Sequence, residues 1–125
     1  IDRATNPWTD LAAADVVLIA GSNTAECAPI TTHYLWQCRE RGGRLIVVDP
    51  RMTPITRNAD LFLPVRPGTD LALFLAMLHV IVRDGLAAEA YIAAHTIGWD
   101  AVRDSARDWT PERAAKITGV PPDNS

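Results

Sequence analysis

Three short clusters of polar residues carry the chemistry this sequence offers. Gly21-Ser22-Asn23-Thr24-Ala25-Glu26 follows one apolar run, Asp49-Pro50-Arg51 closes a second, and Arg66-Pro67-Gly68-Thr69-Asp70 follows a third. Glycine lets a backbone come close to a ligand, and short hydroxyl and amide side chains suit phosphate or ribose oxygens. An acid at the end of a strand suits ribose hydroxyls, and the same residue suits a solvated turn before Pro50. Arg51 and Arg57 offer guanidinium forks for phosphate, or stand as surface arginines. Asp70 begins a helix, where a carboxylate complements the helix dipole and equally fits the N1 and N2 edge of guanine. Polar loops of this kind at one edge of an α/β sheet point to a nucleotide-type ligand.

The elements that must position these clusters follow from the apolar pattern. Asp15 to Ala20 and Arg44 to Asp49 are short β-branched runs, as buried parallel strands are. Asp60 to Val65 predicts a third, shorter strand near an edge. A helix from Ala28 to Arg41, with Ile30, Tyr34, Leu35 and Cys38 on its buried face, joins the first two strands into a right-handed βαβ unit. Gly42-Gly43 ends it. Thr69 to Arg83 is apolar almost all round and predicts a buried helix. Ala87 to Ala94 and Trp99 to Arg107 predict short helices. Thr110-Pro111-Glu112 starts the last, which stops at Gly119. Residues 1 to 9 read as extended, with Thr9 or Asp10 capping a short turn through Ala14. The expectation is an α/β protein, Rossmann-like, with three α/β/α layers, a mainly parallel sheet and short helices after it. It is read as a single domain over residues 1 to 125.

Composition narrows the function classes. At 125 residues and 48% hydrophobic, the chain can bury a real core, and its net charge of −3 argues against a nucleic-acid surface. Eleven of its twelve basic residues are arginine, which with abundant alanine reads as a GC-rich genome rather than function. No apolar run reaches the length of a membrane span, and the start IDRATNPWTD has no signal-peptide core. With no initiating Met and a loop-like PPDNS at its end, the sequence is expected to be a piece of a larger protein. Cys27 and Cys38 read as two reduced, buried thiols. His33, His79 and His95 fit no metal-ligand spacing, and His79 reads as a hydrogen-bonded core residue. No nucleophile and base are paired by spacing, so no catalytic residue and no metal ligand is assigned. A nicotinamide-binding dehydrogenase domain would carry GxGxxG after the first strand, and GSNTAE does not. A non-enzymatic interaction domain leaves the polar loops unexplained, and a thiamine-enzyme central domain usually carries other loop motifs.

Taken together and in order, GSNTAECAPI, RGGRLIVVDPRMTPITRNADLFLPVRPGTDLALFLAMLHVIV, DGLAAEAYIAAHTIGWDAV and WTPERAAKITGVP resemble the molybdopterin oxidoreductases of the DMSO reductase family. Formate dehydrogenases and assimilatory or periplasmic nitrate reductases are the nearest members. The resemblance runs from Thr5 to Pro121. It implies a bis-molybdopterin guanine dinucleotide cofactor carrying molybdenum or tungsten, bound at the guanosine end of one dinucleotide. Position by position, Gly21, Ser22, Asn23 and Glu26 would lie by pyrophosphate and ribose. Asp49, Pro50 and Arg51 would follow, with Asp49 near ribose or guanine. Gly68, Thr69 and Asp70 would lie at the guanine edge. It further implies partners: the remaining domains of a catalytic subunit and an electron-transfer subunit or domain. A 4Fe-4S cluster would belong to the parent protein alone. Nitrate reduction and formate oxidation are the implied reactions, a cytoplasmic enzyme the implied setting, and this segment alone is expected to be inactive. One departure stands out: where the family often has His before Pro, this chain has Ala28 before Pro29. Cys27 falls inside the first motif and does not match the family's metal-ligating residue.

Overall fold

Short β-branched runs and one tight helical connection build the part of the fold that carries two of the three polar clusters. In the computed structural model, which describes residues 5–124, the chain divides into two compact units, Ile1–Pro64 and Val65–Ser125. Each is described by itself. Seven α-helices and three strands lie among the described residues.

In the first unit, β1 (Val16–Ala20), β2 (Arg44–Val48) and β3 (Leu61–Leu63) form a parallel sheet in the order β1-β2-β3. Val16 pairs with Arg44, Ala20 with Val48, and Val48 with Leu63. Parallel neighbours need a long connection, and α3 (Pro29–Glu40) supplies it between β1 and β2. One face of the sheet, Val17, Ile19, Leu45 and Val47, is buried with Leu35, Cys38 and Ile55. Full burial of each such side chain is worth about 1.5–3 kcal/mol. Asp60 sets the start of β2 against the start of β3. Its N–H donates to the Leu45 carbonyl at 2.8 Å, and its Oδ2 accepts from the Leu45 N–H at 2.7 Å.

Several details differ from expectation. The expected extended start lies partly at residues 1–4, outside the described residues. At residues 5–8 the chain bends and turns instead, because the N–H groups of Asp10 and Leu11 donate to the carbonyls of Pro7 and Trp8. Neither Thr9 nor Asp10 caps α1 (Thr9–Ala13); both lie inside it and Trp8 is its N-cap. The buried face of α3 is Thr31, Leu35 and Cys38, while Ile30 is 81% exposed. Thr31, Leu35 and Cys38 share one helical face at i, i+4 and i+7, which Ile30 does not. Cys27 lies in the separate single turn α2 (Thr24–Cys27), and its thiol is exposed; only Cys38 is buried, donating to the Ala14 carbonyl at 3.1 Å.

In the second unit, α4 (Asp70–Arg83) packs on α6 (Trp99–Ala106) and α7 (Pro111–Thr118), with α5 (Glu89–His95) between α4 and α6 in sequence. Helix α7 starts as its sequence dictates. Pro111 is the first helical residue, and Thr110 Oγ1 accepts from the Arg113 N–H at 3.4 Å. At its other end, Arg66 donates from its backbone to the Thr118 carbonyl and from its guanidinium to those of Lys116 and Ile117. Helix α4 is not buried all round. Ala72, Leu73 and Ala76 are enclosed, but Leu71, Phe74 and Ile81 are exposed. No described helix is long and apolar enough to cross a membrane.

Candidate functional site

The carboxyl ends of the strands are stitched together just where the polar loops begin. The Gly21 N–H donates to the Val48 carbonyl at 2.9 Å, and the Asp49 N–H to the Leu63 carbonyl at 3.3 Å. Gly21 turns out of β1 at φ +60°, a conformation that L side chains rarely adopt. The loop passes Ser22 and Asn23 and enters α2, where the Asn23 carbonyl accepts from the N–H groups of Glu26 and Cys27. Glu26 is exposed on that turn. The structure therefore brings Gly21, Ser22 and Asn23 to the strand end next to Asp49, Pro50 and Arg51.

Asp49 is not a solvated turn residue. It is buried, 5% exposed, and its Oδ1 accepts from the Arg51 N–H at 2.8 Å. The backbone bond fixes the carboxylate within its own loop. Its second oxygen takes no hydrogen bond among the described residues. Pro50 and Arg51 are exposed, and Arg57 is exposed in the 3-10 turn Pro54–Asn58. That turn packs against both α2 and β2, so the second loop folds back toward the first.

Unspent hydrogen-bonding capacity marks Asn23, which the first motif already names, and adds Thr24 and Thr53, which sequence reasoning missed. Asn23 Oδ1, Thr24 Oγ1 and Thr53 Oγ1 are buried without a hydrogen-bond partner. Native interiors leave few such atoms, because burying an unpaired polar group costs about 1–3 kcal/mol. Here they gather on α2 and the entry to the 3-10 turn, two elements in contact. Thr24 opens α2 within GSNTAE, and Thr53 precedes a proline. Only the burial of their hydroxyls distinguishes them from ordinary loop threonines.

In the second unit, Arg66 to Thr69 forms a turn whose first carbonyl accepts from the Thr69 N–H at 3.2 Å and from Thr69 Oγ1 at 2.7 Å. Pro67 suits the second place of that turn, and Gly68, at φ +78°, the third. The Thr69 hydroxyl proton is thus engaged within the turn. Asp70 is the first residue of α4 and is exposed.

The three histidines and three of the remaining carboxylates have local partners. His33 pairs with Gln37 at 3.0 Å, His79 Nδ1 with the Ala106 carbonyl at 3.1 Å, and His95 lies against the Tyr91 ring. His79 is hydrogen-bonded and partly buried. The hydrogen bond from the Leu45 N–H holds the Asp60 carboxyl below the ordinary aspartate range, helped by Arg39 and Arg44 and opposed by desolvation. Bonding to Arg83 does the same for Asp84, and bonding to Thr110 for Glu112. Among the described residues no group of three or more His, Cys, Asp or Glu side chains is placed to hold a metal ion.

A family model for molybdopterin oxidoreductases matches residues 3–119. F420-dependent formate dehydrogenase 1 subunit alpha of Methanococcus maripaludis is 39% identical over 119 residues, covering 95% of this chain and 18% of that protein. A nitrate reductase of Symbiobacterium thermophilum is 39% identical over 133 residues, covering 98% and 18%. In structure the chain is similar to acetylene hydratase from Pelobacter acetylenicus. The TM-score is 0.80 and the identity 31%, over 88% of this chain and 15% of that one. The chain thus spans under a fifth of the length of these relatives. On the matched residues, which hold all three polar clusters, this chain belongs to the molybdopterin oxidoreductase family.

Proposed function

We propose that residues 1–125 form one cofactor-binding segment of a longer molybdenum or tungsten oxidoreductase, and that its loops hold the guanosine and pyrophosphate end of a molybdopterin guanine dinucleotide. The observation that carries this reading is the set of buried, unpartnered oxygens on Asn23, Thr24 and Thr53 beside the strand ends. A phosphorylated, hydroxyl-rich ligand fits such a lining. Gly21, Ser22, Asn23 and Glu26 would serve pyrophosphate and ribose, and Asp49, Pro50 and Arg51 the ribose side. Gly68, Thr69 and Asp70, in the second unit, are assigned to the guanine edge on the family resemblance alone.

When bound, the cofactor supplies a metal centre for two-electron exchange, and this segment's part is to bind and orient its remote end. The parent reaction is proposed to be nitrate reduction or formate oxidation, after the names of the relatives. Its 4Fe-4S cluster and metal ligand would lie in other parts of the parent subunit, which would be the partners of this segment, with an electron-transfer subunit or domain beyond it. A cytoplasmic setting is proposed from the likeness to assimilatory nitrate reductases. The test is titration of the 125-residue chain with guanosine diphosphate, followed by amide NMR. Binding is expected to be weak, because the segment encloses only part of the ligand. Shifts should centre on Gly21 to Glu26, Asp49 to Arg51 and Gly68 to Asp70. Shifts scattered elsewhere, or none at 10 mM nucleotide (about the weakest useful binding), would remove the reading.

A further inference from the structure

Two helices of the second unit bring one spacing pattern to a shared cavity. Helix α4 contributes His79, Val82 and Arg83, and α6 with its C-cap contributes Arg103, Ala106 and Arg107, each set at i, i+3 and i+4 and so on one helical face. These residues line a cavity of about 160 Å³. Ala106 is buried and Val82 half-buried, while the guanidinium groups reach solvent. The cavity thus has an apolar inner side and a cationic rim. No acidic side chain among the described residues lines it.

The rim is fixed without being filled. Arg83 donates from Nε and Nη2 to the two carboxylate oxygens of Asp84, at 2.7 and 3.1 Å. Arg103 Nη2 lies 2.8 Å from Asp100, and Arg107 Nη2 donates to Asp104 at 3.1 Å. These aspartates stand outside the lining, and most N–H donors of each guanidinium stay unspent. His79 is fixed as well. A carbonyl only accepts, so His79 Nδ1, 3.1 Å from the Ala106 carbonyl, carries the proton of that bond and ties α4 to α6. Asp84 and Glu112 are the acids that act on His79 through charge, and their carboxylates are bonded to Arg83 and Thr110. A cavity of this size suits a body as large as benzene, and a guanidinium fork suits a carboxylate. Inorganic phosphate would leave the apolar side unfilled. We propose that the α4–α6 cavity binds a small organic acid, its apolar body against Val82 and Ala106 and its carboxylate on Arg83, Arg103 and Arg107. The site shares no residue with the three polar clusters and stands independently of the guanosine reading.

The experiment titrates the 125-residue chain with benzoate, benzyl alcohol and inorganic phosphate, followed by amide NMR. Benzoate shifts should centre on His79 to Arg83 and Arg103 to Arg107. Its Kd should be about tenfold or more below those of the alcohol, which lacks the charge, and of phosphate, which lacks the body. Arg103→Gln should raise the benzoate Kd about three- to tenfold, between the worth of an exposed ion pair and that of a charge-assisted hydrogen bond. It should leave the Kd of benzyl alcohol unchanged. Val82→Phe should weaken both aromatic probes by occupying the inner side, with thermal unfolding as the check that it folds. Arg103→Gln changes only the rim and decides the matter whether or not Val82→Phe folds. Equal affinity for benzoate and either other probe, or a benzoate Kd that Arg103→Gln leaves unchanged, would overturn the proposal. So would a folded Val82→Phe that binds benzoate as wild type does, shifts centred elsewhere, or none at about 10 mM benzoate.

Discussion

The two units differ in how they treat their buried polar groups. The first buries oxygens without partners in the loops that follow its strands: Asn23 Oδ1, Thr24 Oγ1 and Thr53 Oγ1. The second satisfies its polar groups locally. The buried Thr118 hydroxyl donates to the Ala114 carbonyl and accepts from the Val120 N–H, Arg66 covers the end of α7, and Thr69 closes its own turn. Trp99 Nε1 is its one buried unpartnered side-chain atom among the described residues. Large apolar side chains stay open in both units: Leu71, Phe74 and Ile81 on α4 with Leu86, Tyr91, Ile97, Val102 and Ile117 in the second, and Trp8, Val16, Leu18, Ile30 and Met52 in the first. Unspent hydrogen bonds mark a surface shaped for a polar ligand. Uncovered apolar side chains mark one shaped for packing. Two segments of one chain thus differ in how far their buried polar groups are satisfied.

The largest expected effect tests whether the sheet of the first unit is held by its core. Leu45 is 1% exposed and lies between Val17, Ile19, Leu35 and Ile55 in the buried cluster. Leu45→Ala should cost about 2–5 kcal/mol of stability in urea unfolding, through lost transfer energy and the cavity left behind. A loss under about 1 kcal/mol would mean that the site closes up easily, and a loosely packed sheet could not hold the loops in register.

The next effect sets one substitution against itself in the two units. Thr118→Val removes a hydroxyl with two partners and strands the Val120 N–H, so it should cost about 1–3 kcal/mol. Thr53→Val removes a hydroxyl with none and should cost nothing measurable in the absence of ligand. Equal losses at the two positions would erase the contrast between the units.

Much of this division was legible in the sequence, for identifiable reasons. The two β-branched runs and the connecting helix specified parallel pairing, because one helix with short loops leaves little alternative. Thr110-Pro111 marked a helix start, and Pro67-Gly68 a turn, by local backbone preference. The facing of the helices was less legible. Ile30 and Leu71 sit at positions that hydrophobic spacing alone assigns to a core, yet they are 81% and 71% exposed. Burial depends on which neighbours arrive, and α4 meets α6 and α7 on one side only. The least legible feature was the site's own chemistry. Asp49 reads as turn residue or ribose acceptor; its burial and its bond to the Arg51 N–H rule out only the solvated turn. Thr53 carries no signal at all until its hydroxyl is seen to be enclosed.

A smaller effect follows acidity. The carboxyls of Asp60, Asp84 and Glu112 are held below their ordinary values in the folded state, by the Leu45 N–H, by Arg83 and by Thr110 respectively. A lowered folded value means that the stabilisation is present above the ordinary carboxylate range. It is lost as pH falls through the folded value. Tm should therefore decline on acidification, and Asp60→Asn should flatten that decline while lowering the neutral-pH Tm slightly. All three groups are well exposed, so added salt should shrink the ion-pair share of the effect. An acid slope that Asp60→Asn leaves unchanged would move its origin away from the start of the sheet.

The smallest effect on stability is the most informative about the second unit, because Asp70 is the one carboxylate among the three residues of that unit assigned to the guanine edge. Asp70 is exposed in the first turn of α4, and the adjacent Thr69 hydroxyl is already engaged with the Arg66 carbonyl. As a helix-start residue alone, Asp70→Asn should cost about 0.3–1 kcal/mol of stability and nothing else. As the acceptor for a guanine edge it should also cost roughly 1.5–3 kcal/mol of cofactor binding, since Asn offers one acceptor and one mispaired donor where the base needs two acceptors. The two roles therefore separate by magnitude and by observable. Thermal unfolding of the 125-residue chain and cofactor content of the parent enzyme, measured for the same substitution, decide between them. A lowered Tm with full cofactor content would confine Asp70 to the helix. The second unit would then take no part in holding the cofactor, and the polar ligand would belong to the loops of the first.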